Sequence, residues 1–173
     1  MQPQKKINNS AFSIAVGYHT ILSIQYVFKK DFEHWEELSA LEKELRRFKN
    51  ISANEALASA SDLSDLAKSL KNSEIPNKFD KASFKARVNV FYSETLRMAD
   101  IATIEGITIE EVGTQIHKVI ATYNAIITKI NSVLEEERLE NSINSNLDDI
   151  DTDAIKIDEI TRKTMLKKEG EKH

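Results

Sequence analysis

Three side chains able to form hydrogen bonds recur seven residues apart in the second half of the sequence. They are His117, Asn124 and Asn131, and they accompany an apolar repeat that begins at Ile109. Imidazole and carboxamide groups at this interval share one edge of a helix, where they can bind a protein partner or the polar part of a ligand. The polar rim of a buried helix face has the same pattern and is the more common arrangement. The sequence therefore indicates a candidate partner or ligand edge.

The other histidines and the acidic residues do not form a recognisable metal site. A di-iron bundle carries Glu-x-x-His on two helices, whereas the nearest approach here is a single Asp31-x-x-His34. Three aspartates resemble the start of a calcium loop: Asp149, Asp151 and Asp153. However, Ala154 stands where that loop has glycine, and Ile160 where it has glutamate. We therefore expect no bound metal and interpret the aspartates as an acidic linker or a helix cap.

Nucleophilic catalysis lacks its usual sequence signals. The chain has no cysteine, which excludes disulfides, thiol nucleophiles and cysteine zinc sites. Neither Gly-x-Ser-x-Gly nor a glycine-rich phosphate loop occurs, and the four glycines are scattered. We therefore predict no catalytic residue, no cofactor and a protein that is not an enzyme.

The composition is that of one soluble globular domain. Of the 173 residues, 40% are hydrophobic and 30% are charged, while four glycines and two prolines are few for this length. The formal net charge of −4 is spread along the chain, which argues against a nucleic-acid partner.

The elements that would position the candidate edge are long helices. The main apolar repeat alternates steps of three and four residues, the spacing of a helix packed lengthwise against others. Its members are Ile109, Val112, Ile116, Val119, Tyr123, Ile126, Ile130 and Val133. A third apolar column, formed by Ile120, Ile127 and Leu134, widens this face. That width favours one wall of an intramolecular bundle over a two-stranded coil.

Capping signals divide the chain into four predicted helices. Capping boxes begin at Ser52 and Thr108, and Gly106 is a natural helix stop. The predicted helices span residues 10–48, 53–71, 80–104 and 109–140. Because the turn around Gly106 is short, the third and fourth helices should be antiparallel neighbours. We therefore predict an all-α, antiparallel up-down four-helix bundle with two long and two shorter helices.

The sequence beyond residue 141 is predicted to leave the bundle. Asn, Ser and Asp predominate through Asp153, which is typical of a linker, and residues 155–166 form a short amphipathic pattern. We therefore predict a bundle domain over residues 1–141. Residues 142–173 would be a polar linker with a short C-terminal helix.

Residues 11–28 contain no Asp, Glu, Lys or Arg and allow three interpretations. The preferred one is a buried extension of the first helix. A membrane anchor would suit the length, but His19, Gln25 and several hydroxyl residues dilute it. A secretory signal would need a shorter apolar region and a cleavage site of small residues. Since no convincing signal is present, a soluble, cytoplasmic protein is expected.

These observations favour a non-enzymatic helical-bundle interaction module that binds a protein partner or self-associates. The alternative is a sensor or carrier for a small apolar ligand, and membrane association through residues 11–28 belongs to this alternative. That alternative requires a cavity beside four aromatic residues: Phe84, Phe91, Tyr92 and Tyr123.

Overall fold

The computed structural model describes residues 10–17, 20–32 and 34–170, and these are mostly helical, which confirms the all-α class. The helices are α1 (Glu36–Arg47), α2 (Ala53–Ala58), α3 (Ala60–Asn72), α4 (Ala82–Ile101) and α5 (Ile109–Gly170). Two short strands, β1 (Ala15–Gly17) and β2 (Asn50–Ser52), and two 3₁₀ segments, Ser10–Ser13 and Tyr26–Phe32, complete the elements. The chain forms two compact units, Met1–Val133 and Leu134–His173.

The core of the first unit lies where α3, α4 and the first part of α5 bury their apolar faces. The Phe91 ring on α4 lies 6.1 Å from the Tyr123 ring on α5. One turn further along α4, the Gln115 amide donates to the Glu94 carbonyl oxygen at 2.9 Å. From the first pair to the second, the residue number rises on α4 and falls on α5, so the two helices are antiparallel. In this unit the buried side chains on α5 are Val112, Ile116, Val119, Ile120, Tyr123, Ile126, Ile127 and Ile130.

Both predicted capping boxes are confirmed. The Ser52 hydroxyl accepts from the Glu55 main-chain N–H, and the Glu55 carboxylate accepts from the Ser52 N–H. Thr108 and Glu111 form the same reciprocal pair at the start of α5. Gly106 adopts a positive φ of 82°, the left-handed conformation predicted for the turn before α5.

The predicted first helix over residues 10–48 is wrong in its N-terminal half. Residues 10–32 contain the two 3₁₀ segments and β1, and α1 begins only at Glu36. We name described residues 10–17 and 20–32 the N-terminal arm. Its β-branched and aromatic residues have modest helix propensity, and Gly17 lowers it further. Within the arm, β1 pairs antiparallel with β2, with Val16 opposite Ile51.

The predicted end of the last helix near residue 140 is also wrong. The helix α5 continues to Gly170, so the expected linker and separate C-terminal helix are parts of one helix up to that residue. Neither glycine nor proline occurs between Gly113 and Gly170, and Asn, Ser and Asp disfavour a helix only weakly. Residues 171–173 lie outside the described part of the chain.

Candidate interaction site

Two of the three residues of the candidate edge bind the N-terminal arm through its main chain. Asn124 accepts a hydrogen bond from the Leu22 N–H at 2.9 Å and donates one to the Thr20 carbonyl oxygen at 2.9 Å. Asn131 accepts from the Gln25 N–H at 3.1 Å and donates to the Ser23 carbonyl oxygen at 3.2 Å. Each carboxamide therefore forms a two-bonded clamp on the polypeptide backbone.

The distance between the two clamps along α5 matches the distance between the main-chain groups that they bind on the arm. Seven residues of an α-helix rise by about 10.5 Å. The clamped carbonyl oxygens are three residues apart, and three residues of extended chain span about 9–10 Å. The arm must therefore be nearly fully extended between the clamps to satisfy both. A repeat of three residues is also the period of a polyproline II helix, in which every third residue faces the same side.

Apolar side chains of the arm follow the same three-residue repeat. Each clamp spans one isoleucine, Ile21 or Ile24, and Ile24 is only 5% exposed. Thr20 and Ser23, whose carbonyl groups are clamped, have exposed side chains. Ile21 is half-buried, and Val27, the next residue at this spacing, is 69% exposed. The site therefore recognises main-chain groups that every polypeptide carries, and one apolar residue of the clamped segment, Ile24, is buried beside it.

His117, the third residue of the candidate edge, lies seven residues before Asn124 and is exposed. It does not form either of the two clamps. The structure thus joins Asn124 and Asn131 in one site.

Asn124 and Asn131 belong to the edge predicted from the sequence, whereas the segment that they bind was not predicted. A signal for that segment exists: Thr20-Ile21-Leu22 and Ser23-Ile24-Gln25 repeat a hydroxyl residue followed by isoleucine. Three residues of this repeat in the extended arm cover about the same length as seven residues of α5. This match is visible only once the two segments are known to run side by side.

The end of the arm is anchored by an aromatic cluster. The Phe32 ring lies 6.1 Å from the Trp35 ring and 5.6 Å from the Phe79 ring, and Phe84 lies 6.0 Å from Trp35. The Trp35 indole N–H donates to the Ser73 hydroxyl at 3.1 Å. All four rings are buried, which makes this cluster the junction between the arm and the helices.

Three of the four aromatic residues proposed to line a ligand cavity are packed in the core, and the fourth, Tyr92, is half-buried with the Lys71 ammonium 5.0 Å from its ring centroid. Phe84, Phe91 and Tyr123 are at most 1% exposed. A shallow cleft lies elsewhere, between the arm and α1, with a cavity volume of about 190 Å³. Its lining residues are Ile24, Lys29, Phe32, Leu38, Ser39 and Glu42. Pockets for drug-sized ligands usually have about 300–1,000 Å³, so this cleft is small.

The Tyr123 hydroxyl is buried and has no hydrogen-bond partner among the described residues. Burial raises the pKa of this hydroxyl well above its ordinary value, and the nearby Glu42 carboxylate adds to the rise. Glu42 is also the partner of Arg46, at 2.9 Å. An unsatisfied buried hydroxyl reduces stability, and its raised pKa keeps it protonated, so this group is not a base.

Within the described part of the chain, no group of three or more acidic or histidine side chains could hold a metal ion. The side chains of Asp149, Asp151 and Asp153 lie outside it, as does His19. The described residues also include no helix with the length and apolar character needed to cross a membrane.

Comparisons of this chain with protein-family models, with curated proteins and with solved structures found no match. The fold and the site define an all-α protein whose longest helix holds an extended segment of its own chain.

Proposed function

We propose that this chain is a non-enzymatic helical-bundle interaction module that binds a protein partner or itself. The observation that carries the proposal is the pair of clamps formed by Asn124 and Asn131. Carboxamides that bind the N–H and C=O groups of an extended segment perform polypeptide recognition, as in the peptide-binding modes that rely on main-chain hydrogen bonds. The edge predicted to face a partner thus carries chemistry suited to one.

The electrostatics of the described residues support a role in binding over one in catalysis. Catalytic groups commonly have pKa values shifted by a cleft and a charged partner. Here, hydrogen bonds from the capping residues lower the pKa values of Glu55 and Glu111, and burial raises the pKa of Tyr123. Each of these shifts has a structural cause in a helix cap or in the core.

The second unit offers a further surface for a partner. Leu139 and Ile143, one helical turn apart on α5, are 55% and 58% exposed. Most helical stability in proteins comes from burying an amphipathic face. A protein partner, or a second copy, would cover these two side chains.

Light scattering coupled to size-exclusion chromatography, together with pull-down from the native lysate, tests the proposal. The full chain should show self-association or recover a partner. The double substitution Leu139→Gln and Ile143→Gln should weaken that association if the second unit takes part, and a version ending at Glu140 should do the same. The matched control substitutes two exposed polar neighbours, Asn141→Gln and Ser142→Gln. A full chain that stays monomeric and recovers no partner would count against the interaction module.

A further inference from the structure

We propose that the clamps on α5 also bind the arm of a second copy, so that two chains associate by exchanging residues 10–25. This inference rests on the proposed function and deepens it by naming the partner and the exchanged segment. The groove it uses is defined by the carboxamides of Asn124 and Asn131 and by the four hydrogen bonds that they form with the arm.

The first argument is that the groove does not distinguish its own arm from another copy's. The four clamp bonds involve only main-chain groups of the arm, and the buried Ile24 side chain is identical in every copy. Exchange therefore replaces each contact with the same contact in trans. Exchange of an identical element between protomers is a low-cost route to a symmetric dimer for this reason.

The second argument is the position of a hinge between the clamped segment and the aromatic anchor. Gln25 is held by Asn131, and Phe28 is buried, whereas Tyr26 and Val27 between them are 87% and 69% exposed. The turn here is a 3₁₀ segment, whose hydrogen bonds have poorer geometry than those of an α-helix. Straightening only its first two residues, Tyr26 and Val27, would redirect residues 10–25 while Phe28 and Phe32 stay anchored in their own chain.

The third argument is that exchange gives the exposed apolar residues a partner. A tethered arm has a high effective concentration at its own groove, so exchange in trans needs additional stabilisation. Tyr26 and Val27 are the exposed apolar residues of the hinge, and Ile14 and Val16 are 64% and 46% exposed earlier in the arm. Where two exchanged arms cross, these side chains would be covered by the second copy.

A complementation experiment with full-length variants tests the exchange. In the arm variant, Leu22→Pro and Gln25→Pro remove the two clamped N–H groups, and proline suits an extended segment. In the clamp variant, Asn124→Ala and Asn131→Ala remove the carboxamides. Neither variant alone can form an intact arm–clamp pair, but a mixture can form one in trans. We expect each variant alone at the chain mass of 19.7 kDa and a 1:1 complex of twice that mass in the mixture.

The matched control carries Thr20→Pro and Ser23→Pro, which leave both clamped N–H groups in place. Mixed with the clamp variant, it should form less complex than the arm variant does, since its own arm still competes for its clamps. A mixture of arm and clamp variants that stays at monomer mass, with both variants folded by circular dichroism, overturns the exchange. If the doubly substituted arm variant does not fold, Leu22→Pro alone takes its place.

A peptide assay gives a second, independent measurement. A fluorescent peptide of residues 10–25 should bind the full-length arm variant in an anisotropy titration. Adding Asn124→Ala and Asn131→Ala to that variant should weaken binding by roughly tenfold or more, the order expected when two-bonded polar contacts are lost. Peptide binding that is absent or insensitive to these substitutions refutes the groove in trans. Association that depends on Leu139 and Ile143 but not on the clamps would leave the interaction module standing and remove only the exchange.

Discussion

The N-terminal arm and the helices of the first unit are both rich in apolar residues, but they bury them differently. Phe91 on α4 and Tyr123 on α5 are fully buried against each other. The arm buries Phe12, Phe28 and Phe32 near its ends, but between Thr20 and Val27 only Ile24 is buried, and two asparagines hold the main chain there. A few hydrogen bonds near water stabilise a segment less than close packing does, so residues 20–27 are the part of the first unit expected to open first.

The largest effect should come from the junction of the two regions. Replacing Trp35 with alanine removes a buried ring from the aromatic cluster, along with the hydrogen bond to Ser73. We expect the free energy of unfolding to fall by about 3–5 kcal/mol, the usual range for large aromatic truncations in cores. Urea denaturation followed by circular dichroism measures it. Trp35→Phe, which keeps a ring, should lose much less. Equal losses in the two variants would mean that the cluster is not a packed junction.

The clamps should contribute less and act locally. Asn124→Ala leaves two main-chain groups of the arm unpaired, which costs about 1–3 kcal/mol where they are shielded from water. Asn131→Ala should cost less, because its hydrogen bonds are exposed. Hydrogen exchange should show faster exchange of the Leu22 and Gln25 amides and unchanged protection in α4. Thr128→Ala, on an exposed position of α5, is the control. Loss of protection in α4 would break the distinction between arm and helices.

Removing the buried hydroxyl of Tyr123 should leave stability unchanged or raise it slightly. Tyr123→Phe keeps the ring contact with Phe91 and relieves an unsatisfied polar group, an effect of up to about 1 kcal/mol. Because burial raises the pKa of this hydroxyl above its ordinary value of 10.0, the unfolded chain loses the proton first as pH rises above 10, and the stability of the wild-type protein falls there. The stability advantage of the variant should therefore grow above pH 10. A clear destabilisation at neutral pH would indicate a hydrogen bond to this hydroxyl.

The smallest effect should come from the helix caps and should depend on pH. Hydrogen bonds within the capping boxes lower the pKa values of Glu55 and Glu111 below the ordinary value of 4.5. Their contribution to stability is thus complete above pH 4.5 and is lost as pH falls through the lowered values. Glu55→Gln with Glu111→Gln should reduce the melting temperature at pH 7, and the difference from wild type should shrink near pH 3. Glu110→Gln, outside the box, is the control, and a difference that persists at pH 3 would contradict the cap mechanism.

Sequence patterns predicted the helices well where local chemistry and packing agree. Ser52 and Thr108 satisfy main-chain N–H groups within three residues, so their caps need no distant partner. The apolar repeat from Val112 to Ile130 is likewise a local pattern, and its side chains are buried. The prediction failed for residues 10–32, because apolar residues three or four apart are compatible with a helix and also with an extended segment that repeats every three residues. It failed again after residue 140, where a polar composition was interpreted as a helix end although neither glycine nor proline occurs between residue 140 and Gly170.

The sequence by itself determined the all-α class, the capped helix starts, the left-handed turn at Gly106 and two of the residues of the candidate site. These features depend on neighbours within one or two helical turns. Only the tertiary structure decided that Asn124 and Asn131 bind the arm, since their partners lie more than 100 residues away. A carboxamide on a helix edge has the same local signal whether it binds water or a main chain. The difference arises only when folding brings a three-residue repeat alongside a seven-residue one.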